Sequence, residues 1–267
     1  MKKVMLRLLW ALIDRLPATL SQELILRASH KLDPQQLRVV LARVLKHKAQ
    51  RLSPDEALRL LFSVDHDLYV QEGEWAVRYG GGLHTKHRHT KYHDFFVERI
   101  QPNERVLDIG CGVGALAHSL ATRSGARVLG IDISEKNISQ AKERYAHPSV
   151  TYQIGDAPRD LPQQPFDVVV LSNVLEHIPP SRSDFLRQVH IASQAQRFLI
   201  RVPLYERDWR VPLMDELGLD YRLDPTHYTE YTLESFKDEM KQAGLRVVVL
   251  EVRWGEIWSE LVVQLNS

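Results

Sequence analysis

The stretch Val106–Gly114 reads V-L-D-I-G-C-G-V-G and predicts a buried strand that runs into a glycine-rich turn. Val106, Leu107 and Ile109 form the apolar run that is typical of a central parallel strand, and a helix is expected from about Ala115. Glycine tolerates a positive φ and lets the backbone approach a ligand closely, and the start of the helix offers free N–H groups. The stretch therefore predicts a site for an adenosine-like ligand.

Asp108 narrows the choice of ligand. A G-x-G pattern by itself is shared by dinucleotide sites and other nucleotide sites. A carboxylate in this turn would repel a pyrophosphate, whereas it would attract a ligand that carries an ammonium group. Gly110, Gly112 and Gly114 also give G-x-G-x-G instead of the G-x-G-x-x-G of a dinucleotide turn. A nicotinamide-dependent dehydrogenase is therefore the less favoured alternative.

Strand and helix patterns alternate from Arg105 onward, which predicts a doubly wound α/β sheet. The second predicted strand, Arg127–Ile131, ends at Asp132, where a carboxylate can accept both hydroxyls of a ribose. The third predicted strand, Val150–Ile154, is followed shortly by Asp156. The remaining predicted strands are Phe166–Leu171, Phe198–Val202, Leu245–Val252 and Ile257–Leu265.

These features resemble motif I and the later strand ends of the class I S-adenosylmethionine-dependent methyltransferases. The block F-D-V-V-V-L-S-N-V-L-E-H-I-P, residues 166–179, is similar to the post-strand motif of the small-molecule subgroup that includes quinone-precursor O-methyltransferases. The resemblance implies a Rossmann-like, seven-stranded, mostly parallel sheet whose last two strands form an antiparallel pair at one edge. It also implies S-adenosylmethionine as the cofactor, with Asp156 at the exocyclic amine of adenine.

The predicted cofactor contacts lie in the glycine turn and at the ends of the next strands. They are Asp108, Gly110, Cys111, Gly112, Gly114, Asp132, Ile133, Asp156, Ala157 and Asn173. Cys111 is the only cysteine, which excludes an internal disulfide and a cysteine-rich metal site. We interpret it as a small residue that fits a tight loop and not as a nucleophile.

Methyl transfer to a hydroxyl requires a group that positions the acceptor and removes its proton. His177, which follows the fourth strand, and His227 are equal candidates for this base. Asp224 is expected to orient His227, whereas Glu176 is expected to point about 100° away from His177 on a helix. The predicted substrate contacts are Arg88 in the segment before the sheet, and Arg207 and Tyr228 in the long insertion of residues 204–231.

Residues 65–100 change in character and are predicted to form a lid or linker. Three consecutive glycines at positions 80–82 predict a hinge, and His84, His87, His89 and His93 follow. Their spacing suggests a metal site, but no carboxylate or cysteine completes a ligand set, and the interleaved Lys and Arg residues would repel a cation. We therefore expect no metal in the protein.

The charge is distributed unevenly along the chain. Residues 1–51 hold 11 Lys/Arg and 3 Asp/Glu, which leaves 24 and 31 for the remainder. Residues 1–64 are predicted to form a basic helical module, and residues 101–267 are predicted to form the methyltransferase domain. Asp33-Pro34 and Ser53-Pro54 mark helix starts within the module. An amphipathic helix is predicted over residues 4–16, where the longest apolar run is too short for a signal peptide. The basic face suits an anionic membrane surface, a carrier or a partner, or docks on the acidic remainder.

The predicted function is methyl transfer to an oxygen or nitrogen of a small molecule or a glycan or sugar intermediate. The sequence S-N-V-L at residues 172–175 departs from the N/D-P-P-[YF] tetrapeptide that marks methylation of nitrogen in nucleic acids and proteins, so a nucleic-acid substrate is disfavoured. A non-catalytic cofactor-binding scaffold or assembly subunit is the alternative. We expect a cytoplasmic protein, with peripheral contact at the inner face of a membrane as a variant, and the sequence predicts no oligomeric state.

Overall fold

The computed structural model describes residues 17–81 and 85–264, and the chain divides into two compact units, one ending at Val70 and the other beginning at Gln71. The first unit contains α1 (Ala18–Ser29), α2 (Pro34–Ala49) and most of α3 (Pro54–Tyr79). At the start of α2, Asp33 accepts the amide of Gln36 at 2.9 Å, and the Gln36 side chain accepts the Asp33 amide at 3.1 Å. This reciprocal cap confirms the predicted helix start. The helix predicted over residues 4–16 lies outside the described residues.

A seven-stranded sheet forms the second unit. Its strands are β1 (Arg105–Ile109), β2 (Arg127–Asp132), β3 (Val150–Ile154), β4 (Val168–Ser172), β5 (Arg197–Pro203), β6 (Leu245–Arg253) and β7 (Glu256–Val263). Their order is β3-β2-β1-β4-β5-β7-β6, with β1 to β5 parallel and β7 antiparallel to both neighbours. The predicted doubly wound sheet and its antiparallel edge pair are confirmed.

Beyond α3, the described residues contain seven α-helices of 5 to 12 residues, which precede β1 or follow the strands. They are α4 (Lys86–Thr90), α5 (Tyr92–Val97), α6 (Ala115–Ser119), α7 (Glu135–Arg144), α8 (Arg182–Ser193), α9 (Arg210–Glu216) and α10 (Leu233–Gln242). The long insertion after β5 contains a 3₁₀ turn at Tyr205–Arg207 and then α9. Val211 is the only residue of α9 that is buried, which explains why no helical periodicity is visible there. No helix among the described residues combines the length and apolar composition needed to cross a membrane.

The core lies on both faces of the sheet. Val106 of β1 packs into a cluster with helices α5, α6 and α7, whereas Leu107 and Ile109 pack into a second cluster with α8 and α10. Because successive side chains of a strand point to opposite faces, a strand that is covered on both faces is apolar almost throughout. Asp108 is the exception within β1, and it is buried with only 1% of its surface exposed.

The position of β1 in the sheet determines where a ligand can bind. Its neighbours are β2 on one side and β4 on the other, so the direction of winding reverses between β1 and β4. Open α/β sheets bind their ligands in the crevice that such a reversal creates at the carboxyl ends of the strands. The glycine turn after β1 and the segment after β4 therefore border the same crevice.

Gly110 tests how tightly these two segments pack. Its φ is +69°, and an added Cβ would lie 2.5 Å from Cγ2 of Val174, whereas Gly218 has a φ of +65° and nothing within 4 Å of such a Cβ. Gly218→Ala should therefore cost only the left-handed backbone penalty of about 1–2 kcal/mol. We expect Gly110→Ala to lower the free energy of unfolding in urea by about 1–3 kcal/mol more than this control, because it also overpacks the crevice. Adding Val174→Ala should recover part of that difference; equal losses in the two glycine variants would contradict the packing argument.

Candidate active site

The glycine turn after β1 is held from two sides. Gly110, Gly112 and Gly114 all have positive φ, at 69°, 53° and 86°, as the sequence predicts. The amide of Gly112 donates to Oδ2 of Asp132 at 2.9 Å. On the other side the hydroxyl of Tyr152 donates to the Gly114 carbonyl at 3.1 Å, and a Cβ on Gly114 would lie 2.6 Å from that hydroxyl oxygen. The turn is thereby fixed with its backbone facing the crevice.

Asp132, at the end of β2, connects the turn to the next helix. While Oδ2 accepts from Gly112, Oδ1 accepts the amide of Ser134 at 2.9 Å. The N-cap of α7 is Ser134, whose hydroxyl oxygen accepts the Asn137 amide at 3.2 Å. The side chain of Asp132 is therefore not the helix cap, and it stays at the edge of the crevice.

A first cavity of about 310 Å³ lies over the turn and is lined by Asp108, Cys111, Lys86, His87 and Arg201 among others. Oδ2 of Asp108 is buried without a hydrogen-bond partner among the described residues. Burial, and to a lesser degree the charge of Asp132, raises the pKa of the Asp108 carboxyl to about 8. A buried carboxylate without a partner is unfavourable, and a cationic ligand group would relieve that cost.

Arg201 supplies the opposite charge in the same cavity, and the sequence analysis missed it. Its side chain is buried, and Nε donates to Oδ1 of Asn173 at 3.0 Å and lies 3.3 Å from Oε2 of Glu256. Nη1 has no partner among the described residues. The guanidinium lies 4.2 Å from the centre of the Tyr92 ring. Burial raises the pKa of Tyr92 to about 12, so this ring stays a neutral support. A single arginine within the apolar strand F-L-I-R-V-P is the signal that could have identified this residue.

A second cavity of about 530 Å³ continues from the first, and the two share Gly110 and Asn173 in their linings. Asp132 and Asp156 provide its carboxylates. Ile133, with 74% of its surface exposed, and Ala157 provide apolar surface.

Nine of the predicted cofactor residues thus line one cavity or the other. Gly114 is the exception, because it supports the turn against Tyr152 instead. Burial raises the pKa of the Cys111 thiol, which fits a packing role for this residue.

Glu176, His177 and His227 form a cluster beside the second cavity. The segment Leu175–His177 is a 3₁₀ turn, and the rings of His177 and His227 lie 4.6 Å apart between centroids. One potential ligand atom from each of the three side chains lies within 4.8 Å of the others. His177 lines the second cavity and Glu176 lines neither cavity, so the two side chains do not both face the cleft, as expected. Their potential ligand atoms still approach each other, because long side chains can converge from divergent Cα positions.

The hydrogen bonds of this cluster differ from the expected ones at His227. The expected pairing of Asp224 with His227 is wrong, because Nδ1 of His227 pairs with Oε1 of Glu230 at 3.1 Å. Asp224 instead accepts the Thr226 hydroxyl at 2.6 Å, and that hydroxyl oxygen lies 3.0 Å from Nδ1 of His177. Burial lowers the pKa of His177, so its imidazole is neutral near pH 7.

The predicted substrate contacts are less closely grouped. Arg207 pairs with Glu230 and donates to the Leu204 carbonyl at 3.1 Å, and it lines neither cavity. Tyr228 has 64% of its surface exposed, and its amide donates to the Glu176 carbonyl at 2.8 Å. Arg88 is exposed and borders a separate cavity of about 380 Å³. Their roles stay predictions.

The described histidines of the four-histidine segment form no group of three potential metal ligands. His84 lies outside the described residues, and Nδ1 of His93 pairs with the Ser119 hydroxyl at 2.7 Å. Burial lowers the pKa of His93 to about 4. Within residues 17–81 and 85–264, the one group of three potential metal ligands is Glu176, His177 and His227.

Comparison with known proteins places the chain in a family. Residues 79–250 match the family model described as a methyltransferase domain. The ubiquinone biosynthesis O-methyltransferase of Bradyrhizobium diazoefficiens is 32% identical over 166 residues, which cover 56% of this chain and 64% of that protein. The cyclopropane-fatty-acyl-phospholipid synthase of Escherichia coli strain K12 is 41% identical over 86 residues, which cover 32% of this chain and 22% of that protein. The chain thus spans less than two thirds of the length of either relative.

Solved structures share the fold. Magnesium protoporphyrin IX methyltransferase from Synechocystis PCC 6803 with bound SAH aligns with a TM-score of 0.53 and 22% identity over 66% of this chain and 84% of that one. A similar sheet occurs in a methyltransferase domain described as bacterial CtHen1-C, with a TM-score of 0.52 and 17% identity over 66% of this chain and 99% of that one.

Fold and site together define a nucleotide-type cofactor cleft at the switch point of a seven-stranded sheet. With the match over residues 79–250, the chain belongs to the methyltransferase-domain family of class I S-adenosylmethionine-dependent methyltransferases. The predicted family, fold and cofactor are confirmed.

The Asp108 carboxyl is expected to lose its proton when the cofactor binds. The free carboxyl has a pKa of about 8 and is mostly protonated at pH 7, whereas an ammonium group beside it favours the ionised form. Binding of S-adenosylmethionine at pH 7 should therefore release up to about one proton, which calorimetry in two buffers of different ionisation enthalpy measures. Asp108→Asn should release none and bind more weakly; equal proton release by both proteins would refute the role of Asp108.

Proposed function

We propose that the protein transfers a methyl group from S-adenosylmethionine to an oxygen or nitrogen of a small molecule or a glycan or sugar intermediate. The observation that carries the proposal is the buried, unpartnered carboxylate oxygen of Asp108 beside the glycine turn. It suits the cationic amino-acid end of this cofactor. When bound, the cofactor supplies a methyl group activated by the sulfonium.

The first cavity would hold the amino-acid end of the cofactor. Asp108 would accept from the ammonium group, and Arg201, whose Nη1 has no described partner, would donate to the carboxylate. Both side chains are buried, so each charge would act in a medium that screens it weakly. Asn173 accepts from Arg201 and keeps its guanidinium in place.

The second cavity would hold the adenosine. Among the described residues, Oδ2 of Asp132 accepts only from the Gly112 amide and has a further lone pair for a ribose hydroxyl. Oδ1 already accepts from the Ser134 amide and the Asn137 side chain, and a ribose hydroxyl would replace the longer of these contacts, that of Asn137 at 3.3 Å. Ile133 and Ala157 offer apolar surface to the adenine ring, and Asp156 offers an acceptor for its amine. The shared lining at Gly110 and Asn173 would then face the reactive centre between the two halves.

The histidine cluster would handle the proton of a hydroxyl acceptor. His177 is half-buried, lines the second cavity and is neutral near pH 7, so it can accept a proton. His227 is buried and oriented by Glu230, which suits a group that positions its neighbour. Both imidazoles therefore support the acceptor side of the site.

The comparisons support a small-molecule acceptor, since a relative is named as a ubiquinone biosynthesis O-methyltransferase. The segment S-N-V-L at residues 172–175 disfavours a nucleic-acid acceptor. The basic helices of the first unit expose apolar side chains such as Leu24 and Ile25, which supports contact with a carrier, a partner or a membrane surface from the cytoplasmic side.

The proposal is tested by incubating the protein with methyl-labelled S-adenosylmethionine and a small-molecule extract of cells. Label should pass to a small molecule, at a rate that rises with enzyme concentration, and S-adenosylhomocysteine should form in equal amount. Tight cofactor binding without any transfer would favour a binding scaffold. Calorimetric binding of NAD but not of S-adenosylmethionine would refute the proposal outright.

The roles of the histidines are tested by His177→Ala and His227→Ala. Each should lower turnover by about a hundredfold or more, because the acceptor proton is no longer handled, while cofactor affinity changes little. His47→Gln, on the exposed surface of α2, is the control and should leave both unchanged. Thermal unfolding checks that each variant is folded. Full turnover in both folded variants would remove this cluster from the mechanism.

A further inference from the structure

The cluster of Glu176, His177 and His227 has the composition of a metal site that the cofactor does not use. Glu176 has 0% of its surface exposed, and neither carboxylate oxygen has a hydrogen-bond partner among the described residues. An isolated buried carboxylate is costly, and such groups in proteins are normally paired or bound to a metal ion. The potential ligand atoms of the three side chains already lie within 4.8 Å of one another.

The hydrogen bonds of the two imidazoles leave one nitrogen of each ring able to bind a metal ion. Nδ1 of His227 faces Oε1 of Glu230 at 3.1 Å, and a carboxylate acceptor places the proton on that nitrogen. The Thr226 hydroxyl donates to Asp224, so its oxygen accepts from Nδ1 of His177 at 3.0 Å. In both rings Nε2 is then left with its lone pair. Metal-bound histidines show this arrangement, in which the other ring nitrogen donates to a carboxylate or another oxygen.

We propose that Glu176, His177 and His227 bind a divalent first-row transition-metal ion, with open coordination positions toward the second cavity. Two imidazoles and one carboxylate suit such ions, whereas Mg²⁺ prefers an all-oxygen set. With metal–ligand bonds of about 2.0–2.2 Å, two ligand atoms can be at most about 4.4 Å apart. The cluster must therefore contract by a few tenths of an ångström or more, which small side-chain rotations provide.

A metal ion at this site would favour a hydroxyl as the methyl acceptor. This part of the inference rests on the proposed function. A hydroxyl that coordinates the ion loses its proton to water at a lower pH than a free hydroxyl does. The resulting oxygen anion attacks the methyl carbon as the carbon–sulfur bond breaks, and S-adenosylhomocysteine leaves. With the ion bound, the imidazoles serve as ligands and the proton passes to water instead of to His177. The acceptor is then an oxygen nucleophile that reaches the ion beside His177, the one of the three ligands that lines the second cavity.

Metal binding is measured on the full-length protein after treatment with a chelator. Co²⁺, followed by its visible absorption, and Zn²⁺, followed by calorimetry, should each bind saturably to the unmodified protein at about one equivalent per chain. Glu176→Gln keeps the side-chain volume, and it and His227→Asn should weaken binding by about tenfold or more. His89→Gln, in the exposed part of the four-histidine segment, is the matched control and should bind like the unmodified protein.

Two results would overturn the inference. One is the absence of saturable Co²⁺ and Zn²⁺ binding by the unmodified protein. The other is an affinity for Co²⁺ and Zn²⁺ in folded Glu176→Gln that equals that of the unmodified protein. If His227→Asn fails to fold, the near-isosteric Glu176→Gln still decides the result.

The same preparation separates this inference from the proposed function. The metal-free protein should keep its affinity for S-adenosylmethionine and lose methyl transfer by about tenfold or more, and added Co²⁺ should restore it. Cofactor binding and full methyl transfer without any metal would defeat only the metal site. Saturable metal binding without transfer to any acceptor would defeat only the proposed function.

Discussion

The hydrogen bond from the Gly112 amide to Asp132 is the constraint on which the site depends. It joins the turn after β1 to the end of β2, while Tyr152 holds the other side of the turn at Gly114. Because the winding of the sheet reverses beside β1, this fixed turn faces the crevice and not a covering helix. The positions of both cavities follow from that geometry.

Buried charge is concentrated at this end of the sheet. Asp108 in β1, Arg201 in β5 and Glu176 after β4 are all buried, and each has a polar atom without a partner among the described residues. Such groups lower the stability of the folded protein, so they are expected mainly where a ligand completes them. The carboxyl of Asp108 and the guanidinium of Arg201 match the two ends of a zwitterionic amino acid, and the unpartnered carboxyl of Glu176 matches a cation.

Local patterns predicted the alternation of strands and helices, whereas the antiparallel edge pair and the role of Asp156 came from the resemblance to the methyltransferase family. The apolar run through Val106 and Ile109 specified a strand buried on both faces, and Asp108, Asp132 and Asp156 marked strand ends that the parallel topology brings to one edge. Arg201 was missed because nothing in the sequence shows that its buried guanidinium meets Asn173, which follows the neighbouring strand β4. Glu230 was missed as the partner of His227 because Asp224 has the same spacing on the other side. The Glu176 cluster was missed because it depends on His227, which lies 50 residues after His177 and is brought beside it only by the fold.

The central claim is that Asp108, Asp132 and Asp156 together bind S-adenosylmethionine. A crystal structure of the protein soaked with S-adenosylhomocysteine tests it most directly. The account predicts the ligand's amino group beside Asp108 in the first cavity, its ribose hydroxyls on Asp132, and its adenine between Ile133 and Ala157 with the amine toward Asp156. A ligand bound in the reverse direction, or outside both cavities, would contradict the account.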